Sequence, residues 1–206
     1  MSKIIISEQQ LKLLVEDLAL KEDVVDIPNI PNTMNFWHGG NLDNYEDVIS
    51  QKSGRYQYGP GLYLTTKYDD AKQYAKGSRK LYLVTVNLGN DLDNSQFDLN
   101  SVVNFIKKYV IKNKQQEIIN RLSQRVSENG TIPGFIMNNL IINFDAIKPI
   151  NTKYLRQFFI DNGADYNIVD NAFGWHEKMM VLFNMNKIAS IRKINPDDKI
   201  MKFDLH

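Results

Sequence analysis

Between Met34 and Leu88 the chain alternates short strand patterns with short helices, and glycines mark several of the changes of direction. "NFWHGG" reads as a strand ending in the Gly39-Gly40 turn, and "DNYEDVIS" as a short helix. "GRYQYGPG" is a turn-rich loop and "LYLTT" a strand. "KYDDAKQYA" is a helix with Asp69 and Asp70 near its positive end, and "KLYLVTVNL" is a strand rich in β-branched and aromatic residues. Elements this short, in this order, predict a compact α+β unit.

The flanks extend that unit. Ser7 to Leu20 reads as a helix, with Ser7 and Gln10 in a capping-box pattern and Leu11, Leu14, Val15 and Leu18 on one stripe. Its stripe packs onto the same domain or, in the sharper reading, docks a partner; the first is favoured. "DIPNIPNT" follows as a linker, since Pro28 and Pro31 cannot continue a helix. The expected organisation is an N-terminal helix and linker over 1–33, then a domain over 34–206 with a mostly helical elaboration at about 97–150. Residues 89–99 read as a loop and 100–127 as two helices, striped at Val102, Ile106 and Val110, then at Ile118, Ile119, Leu122 and Val126. An apolar run, "GFIMNNLIINFDAI", follows Pro133. "TKYLRQFFIDNGA" is a helix closed by Gly163, and "KMMVLFNMNKIASIRKI" reads as two short strands around a turn.

Charge excludes little. With 206 residues, 25 Lys+Arg and 24 Asp+Glu, the formal net charge is +1, which argues for no particular charged partner. Residues 105–127 hold the one marked asymmetry: Lys107, Lys108, Lys112, Lys114, Arg121 and Arg125 against Glu117. Such a run is usually a solvated face, and a phosphate-contacting surface is the alternative. The absence of cysteine excludes a disulfide framework, a thiolate nucleophile and a Cys-bound zinc. Ser7 and Glu8 end the apolar Ile4–Ile6 far short of a signal-peptide core, and Asn129–Phe144 carries four asparagines, too polar to span a bilayer. A cytoplasmic protein with no membrane partner is the expectation.

The three histidines can be weighed one by one. His206 is terminal. His176 and Glu177 adjoin, but "HEKMM" lacks the second histidine of a zinc-protease helix, and neighbours on a strand point to opposite faces. His38 stands where a strand meets two glycines, where a backbone can come close to a ligand.

About 20 residues on, Gly59 and Gly61 flank Pro60 before the strand that carries Tyr63, and the next helix carries Tyr74. This combination resembles the ADP-ribosyltransferase superfamily, in the branch typified by diphtheria toxin and the poly(ADP-ribose) polymerases, with bacterial or phage-type members. That branch has a His-Gly pair ending its first strand, matched here by His38-Gly39. It then has a "G-x-G-[IL]-Y" strand, matched by Gly59, Gly61, Leu62 and Tyr63, and a second tyrosine eleven residues on, matched by Tyr74. A glutamate opening a late apolar strand is matched by Glu177 in "EKMMVLF". The resemblance covers Asn35–Leu88 and Thr152–Ile194.

The resemblance implies an α+β fold with a split mixed β-sheet. It also implies NAD as substrate, no metal, and a macromolecular acceptor, protein or nucleic acid, as for a toxin or phage effector. Tyr63 and Tyr74 would sandwich the flat nicotinamide, Gly39 would hold its carboxamide through the backbone, and His38 would bond a ribose hydroxyl. Glu177 would stabilise the positive charge that builds on the ribose as the glycosidic bond breaks. His38, Tyr63 and Glu177 are thus the catalytic candidates. His38, Gly39, Tyr63, Ala71 and Tyr74 line the expected NAD site. Many relatives have a hydroxyl residue at the position of Ala71, and another after the His-Gly pair, where Gly40 stands. Trp175, two before Glu177, departs from the pattern of arginine-modifying relatives.

Each residue also has an ordinary structural reading: His38 as a satisfied core histidine, Tyr63 as a strand aromatic, Tyr74 as core with Ala71 and Tyr68, Glu177 as a solvent-facing residue. Two functions follow. The first is a mono-ADP-ribosyltransferase. The second is a non-catalytic module on the same fold that binds NAD, ADP-ribose or a protein. A transferase of RNA 2′-phosphate to NAD fits less well, because Gly59–Tyr74 holds only Lys67 and Lys72 as basic residues.

Overall fold

The computed structural model describes residues 30–42, 57–77, 80–170 and 178–194. The expected helices at 7–20 and 43–50, together with His176, Glu177 and His206, lie outside the described residues. The strands are β1 (Thr33–Gly39), β2 (Leu62–Thr65), β3 (Leu81–Asn87), β4 (Gln96–Asp98), β5 (Thr131–Pro133), β6 (Tyr166–Asp170), β7 (Lys178–Leu182) and β8 (Ile188–Ile194). The helices are α1 (Tyr68–Ala75), α2 (Leu99–Tyr109), α3 (Lys112–Ser123), α4 (Gly134–Asn143) and α5 (Thr152–Asp161). The α+β class expected from the sequence holds. Among the described residues no helix is long and apolar enough to cross a membrane.

Six strands form one sheet in the order β6-β7-β2-β1-β3-β8. Every ladder in it is antiparallel, which corrects the expectation of a mixed sheet. A single parallel bridge, Asp91↔Tyr166, joins the start of β6 to a residue outside the strands. The last two strands are not partners either, although they follow one another in the chain. β7 inserts between β6 and β2, and β8 joins the far edge beside β3. Their side chains account for the difference: Met179 to Leu182 are all buried, as an interior strand requires, whereas Ala189 to Lys193 are all exposed, as on an edge.

Register divides the side chains between two faces. Trp37 lies opposite Thr65 and Leu83, and Tyr63 opposite Val181, so these residues share a face. On that face α1 covers the β1–β3 half, where Tyr68, Ala71 and Ala75 pack with Trp37, Leu81 and Leu83. The helical elaboration covers the β7 end, where Phe97, Ile106, Ile118, Leu122 and Phe159 share a core with Val181 and Phe183. The stripes read from the sequence face inward, with Val102, Ile106, Val110, Ile118 and Leu122 buried and Ile119 and Val126 half-buried against the same core. Asp98 caps α2 by accepting from the Ser101 amide at 2.8 Å, and Gly163 (φ +85°) ends α5. The opposite sheet face buries Phe36, Leu62, Leu64, Val84, Met180 and Leu182.

Candidate functional site

The weakest joint in the sheet lies between β1 and β2. The other ladders run four to seven residue pairs, whereas these two strands meet in register only at Trp37↔Thr65. Toward Gly39 the Tyr63 carbonyl accepts instead from the side chain of His38, whose Nδ1 lies 2.8 Å away. The sheet is thus split into a β6-β7-β2 half and a β1-β3-β8 half, and His38, Gly39 and Tyr63 stand at the opening.

His38 is 9% exposed. Burial holds its pKa below the ordinary imidazole value, and the bond to Tyr63 only partly offsets this. A carbonyl can only accept, so Nδ1 carries the hydrogen and a neutral ring leaves Nε2 as an acceptor. Gly40 follows on the Nε2 side: a Cβ there would stand 3.0 Å from that nitrogen.

Gly39 is a glycine because α1 lies directly on it. A Cβ at this position would stand 1.7 Å from the Ala71 carbonyl oxygen and 2.8 Å from the Ala75 nitrogen. Its backbone polar groups have a defined direction as well. The Gly40 amide donates to Lys80 O at 3.0 Å, so Gly40 and Lys80 form a hydrogen-bonded pair. Antiparallel alternation then turns the N–H and C=O of Gly39 away from β3, toward the β2 side of the split.

Tyr63 has its hydroxyl engaged: it donates to the Gly59 carbonyl at 2.9 Å and accepts from the Tyr58 amide at 3.2 Å. It thereby ties Tyr58 and Gly59 to the hydroxyl end of the side chain, while the half-buried ring packs against the core of the helical elaboration. Gly61 lets that loop press onto β7, since a Cβ there would meet the Leu182 carbonyl at 2.5 Å. Tyr74 is 75% exposed, while Tyr68 and Ala71 are 2% and 1% exposed. The core reading of Tyr74 therefore fails, because Tyr68, Ala71 and Ala75 make the packed face and leave its ring in water. Ala71 presents no side chain to solvent; what it offers is a low profile above Gly39.

Glu177 lies outside the described residues, but its neighbour Lys178 is held at the end of β2. The Lys178 amide donates to Thr66 Oγ1 at 3.1 Å, and the Thr66 amide donates to Lys178 O at 3.0 Å. Among the described residues no group of three or more His, Asp or Glu side chains could hold a metal ion.

Two polar residues near the loop were missed from sequence. Asn167 Nδ2 donates to the Tyr58 carbonyl at 2.9 Å. Asn138 is fully buried on α4 with both amide atoms unpaired, and its Oδ1 lies 3.2 Å from where a Gly59 Cβ would stand. An asparagine inside "GFIMNNLIIN" was the available signal. No family model, curated protein or solved structure matches the chain.

Proposed function

We propose that the chain is an NAD-dependent mono-ADP-ribosyltransferase whose nicotinamide site lies at the β1–β2 split. The observation that carries this reading is the break in the sheet at the His-Gly pair, with Tyr63 across it and Tyr74 exposed on the helix that packs on Gly39. The Gly39 N–H and C=O supply one donor and one acceptor, matching a carboxamide. Tyr63 and Tyr74 supply ring faces for the nicotinamide. His38 Nε2 accepts from a ribose hydroxyl.

In this reading the C1′–N bond of NAD breaks with its electron pair leaving on nicotinamide, which departs neutral. The cationic ribose is stabilised by Glu177 and captured by a nucleophile of a protein or nucleic-acid acceptor, which loses a proton. The split between β1 and β2 and the helical elaboration support this reading, whereas the antiparallel order departs from the mixed sheet that the resemblance implies. The second reading, a non-catalytic NAD-binding or interaction module, is favoured by Ala71, which presents no hydroxyl at the position where many relatives have one.

Incubation with NAD, followed by nicotinamide release and by thermal unfolding, separates the two. Release that Glu177→Gln abolishes supports the transferase. Protection by NAD without release supports the module. Neither effect would overturn both.

A further inference from the structure

Away from the split, the helical elaboration carries a paired-tyrosine ledge. Tyr109 ends α2 and Tyr154 stands in the first turn of α5; their rings stack with centroids 4.5 Å apart and planes 18° apart. Lys108 Nζ lies 5.0 Å from the centre of the Tyr109 ring, and Lys153 Nζ lies 5.0 Å from that of Tyr154. The antiparallel bridge Val110↔Ile147 brings Lys148 alongside Tyr109. Ile150, two residues after Lys148, is 67% exposed, and Tyr154 is 39% exposed.

The cations of this region divide into two kinds. Lys114 is tied to the carbonyls of Phe144 and Asp145, and Arg121 pairs with Glu117 and lies over the Phe144 ring. Those two hold helices together. Lys108, Lys148 and Lys153 form no ion pair among the described residues.

We propose that this ledge binds single-stranded nucleic acid, with a base stacked on Tyr154 and phosphates taken by Lys108, Lys148 and Lys153. An exposed tyrosine, Tyr154, with ammonium groups that form no ion pair among the described residues matches a strand that offers both unstacked bases and phosphates, a base displacing the Lys153 ammonium from over the ring. A duplex keeps its bases stacked inside and would leave the tyrosine faces unused. An acidic peptide would engage the lysines but not the rings. The inference is independent of the NAD reading, since no residue at the β1–β2 split contributes to it.

The test is fluorescence anisotropy of the full chain with a labelled single strand of about 16 nucleotides. The same-sequence duplex and polyglutamate serve as competitors. Binding of the single strand should be at least tenfold tighter than of either competitor. Tyr154→Ala and Tyr154→Leu, the second keeping bulk beside Tyr109, should each weaken it about tenfold. The double variant Lys108→Gln/Lys153→Gln should lower the salt slope by about 1.4. No binding at low salt, equal binding of duplex or polyglutamate, or wild-type affinity in both Tyr154 variants would overturn the proposal.

Discussion

Replacing Gly39 by alanine tests whether the contact between β1 and α1 is as close as described. The added methyl would stand 1.7 Å from the Ala71 carbonyl oxygen, against about 3.4 Å for ordinary contact, so strand and helix must separate by about 1.7 Å. Neither atom belongs to a flexible side chain, so the movement falls on backbone. A gap of even 0.5–1 Å forfeits roughly a quarter to a half of the dispersion well at each contact. The contacts at risk are those of Tyr68, Ala71 and Ala75 with Trp37, Leu81 and Leu83. Overpacking typically costs about 1–3 kcal/mol, and this displacement is large, so about 3 kcal/mol is expected. For a chain of this size that lowers the Tm by roughly 6–12 °C. Thermal and urea unfolding measure it, with Gly77→Ala as control, because nothing lies within 4 Å of a Cβ at Gly77. A Gly39→Ala variant as stable as Gly77→Ala would refute the close packing of α1 on β1.

Three further outcomes follow from single residues. Tyr74→Ala removes a ring that is 75% exposed, so stability should change by no more than about 0.5 kcal/mol while NAD protection falls at least tenfold; unchanged protection would return Tyr74 to the ordinary surface. Asn138→Leu replaces a buried amide with no partner by a side chain of similar branching, and urea unfolding should register a gain of about 1 kcal/mol. A loss of that size would mean the amide is in use. Burial pushes the Asp165 carboxyl up, but bonds from the Asn90 amide, the Asn184 side chain and Lys187 outweigh it and hold its pKa below the usual value. Its contribution is therefore full above the unfolded carboxylate value near 3.9 and is lost as pH falls through the lower folded value. Asp165→Asn should be less stable at pH 7 and show a flatter acid limb; parallel curves for the two proteins would contradict this.

Periodicity made the individual elements legible and left their assembly open. The stripes at Val102, Ile106 and Val110 and at Ile118, Ile119, Leu122 and Val126 are local; five of these residues are buried, and Ile119 and Val126 are half-buried. Gly39 and Gly61 stood out as glycines, but only packing explains them, through the carbonyls of Ala71 and Leu182. Tyr74 could not be assigned from spacing, since Ala71 lies three residues away and the core boundary falls between them. The split itself is a matter of register between β1 and β2, a non-local property that no window of sequence encodes. β4, β5 and β6 escaped notice because runs of three to five residues carry too little alternation. The antiparallel order depends on which strands become neighbours, and "KMMVL" and "IASIRKI" differ in burial far more clearly in space than in sequence.

The central claim is that the β1–β2 split holds NAD for cleavage of its nicotinamide–ribose bond. Nicotinamide release from NAD by the full chain, compared with Glu177→Gln, tests it most directly. The wild-type chain should release nicotinamide and the variant at least a hundredfold less, a fall of the size expected when charge stabilisation at a transition state is removed. Equal release by both proteins, or none from the wild type at saturating NAD, would contradict it.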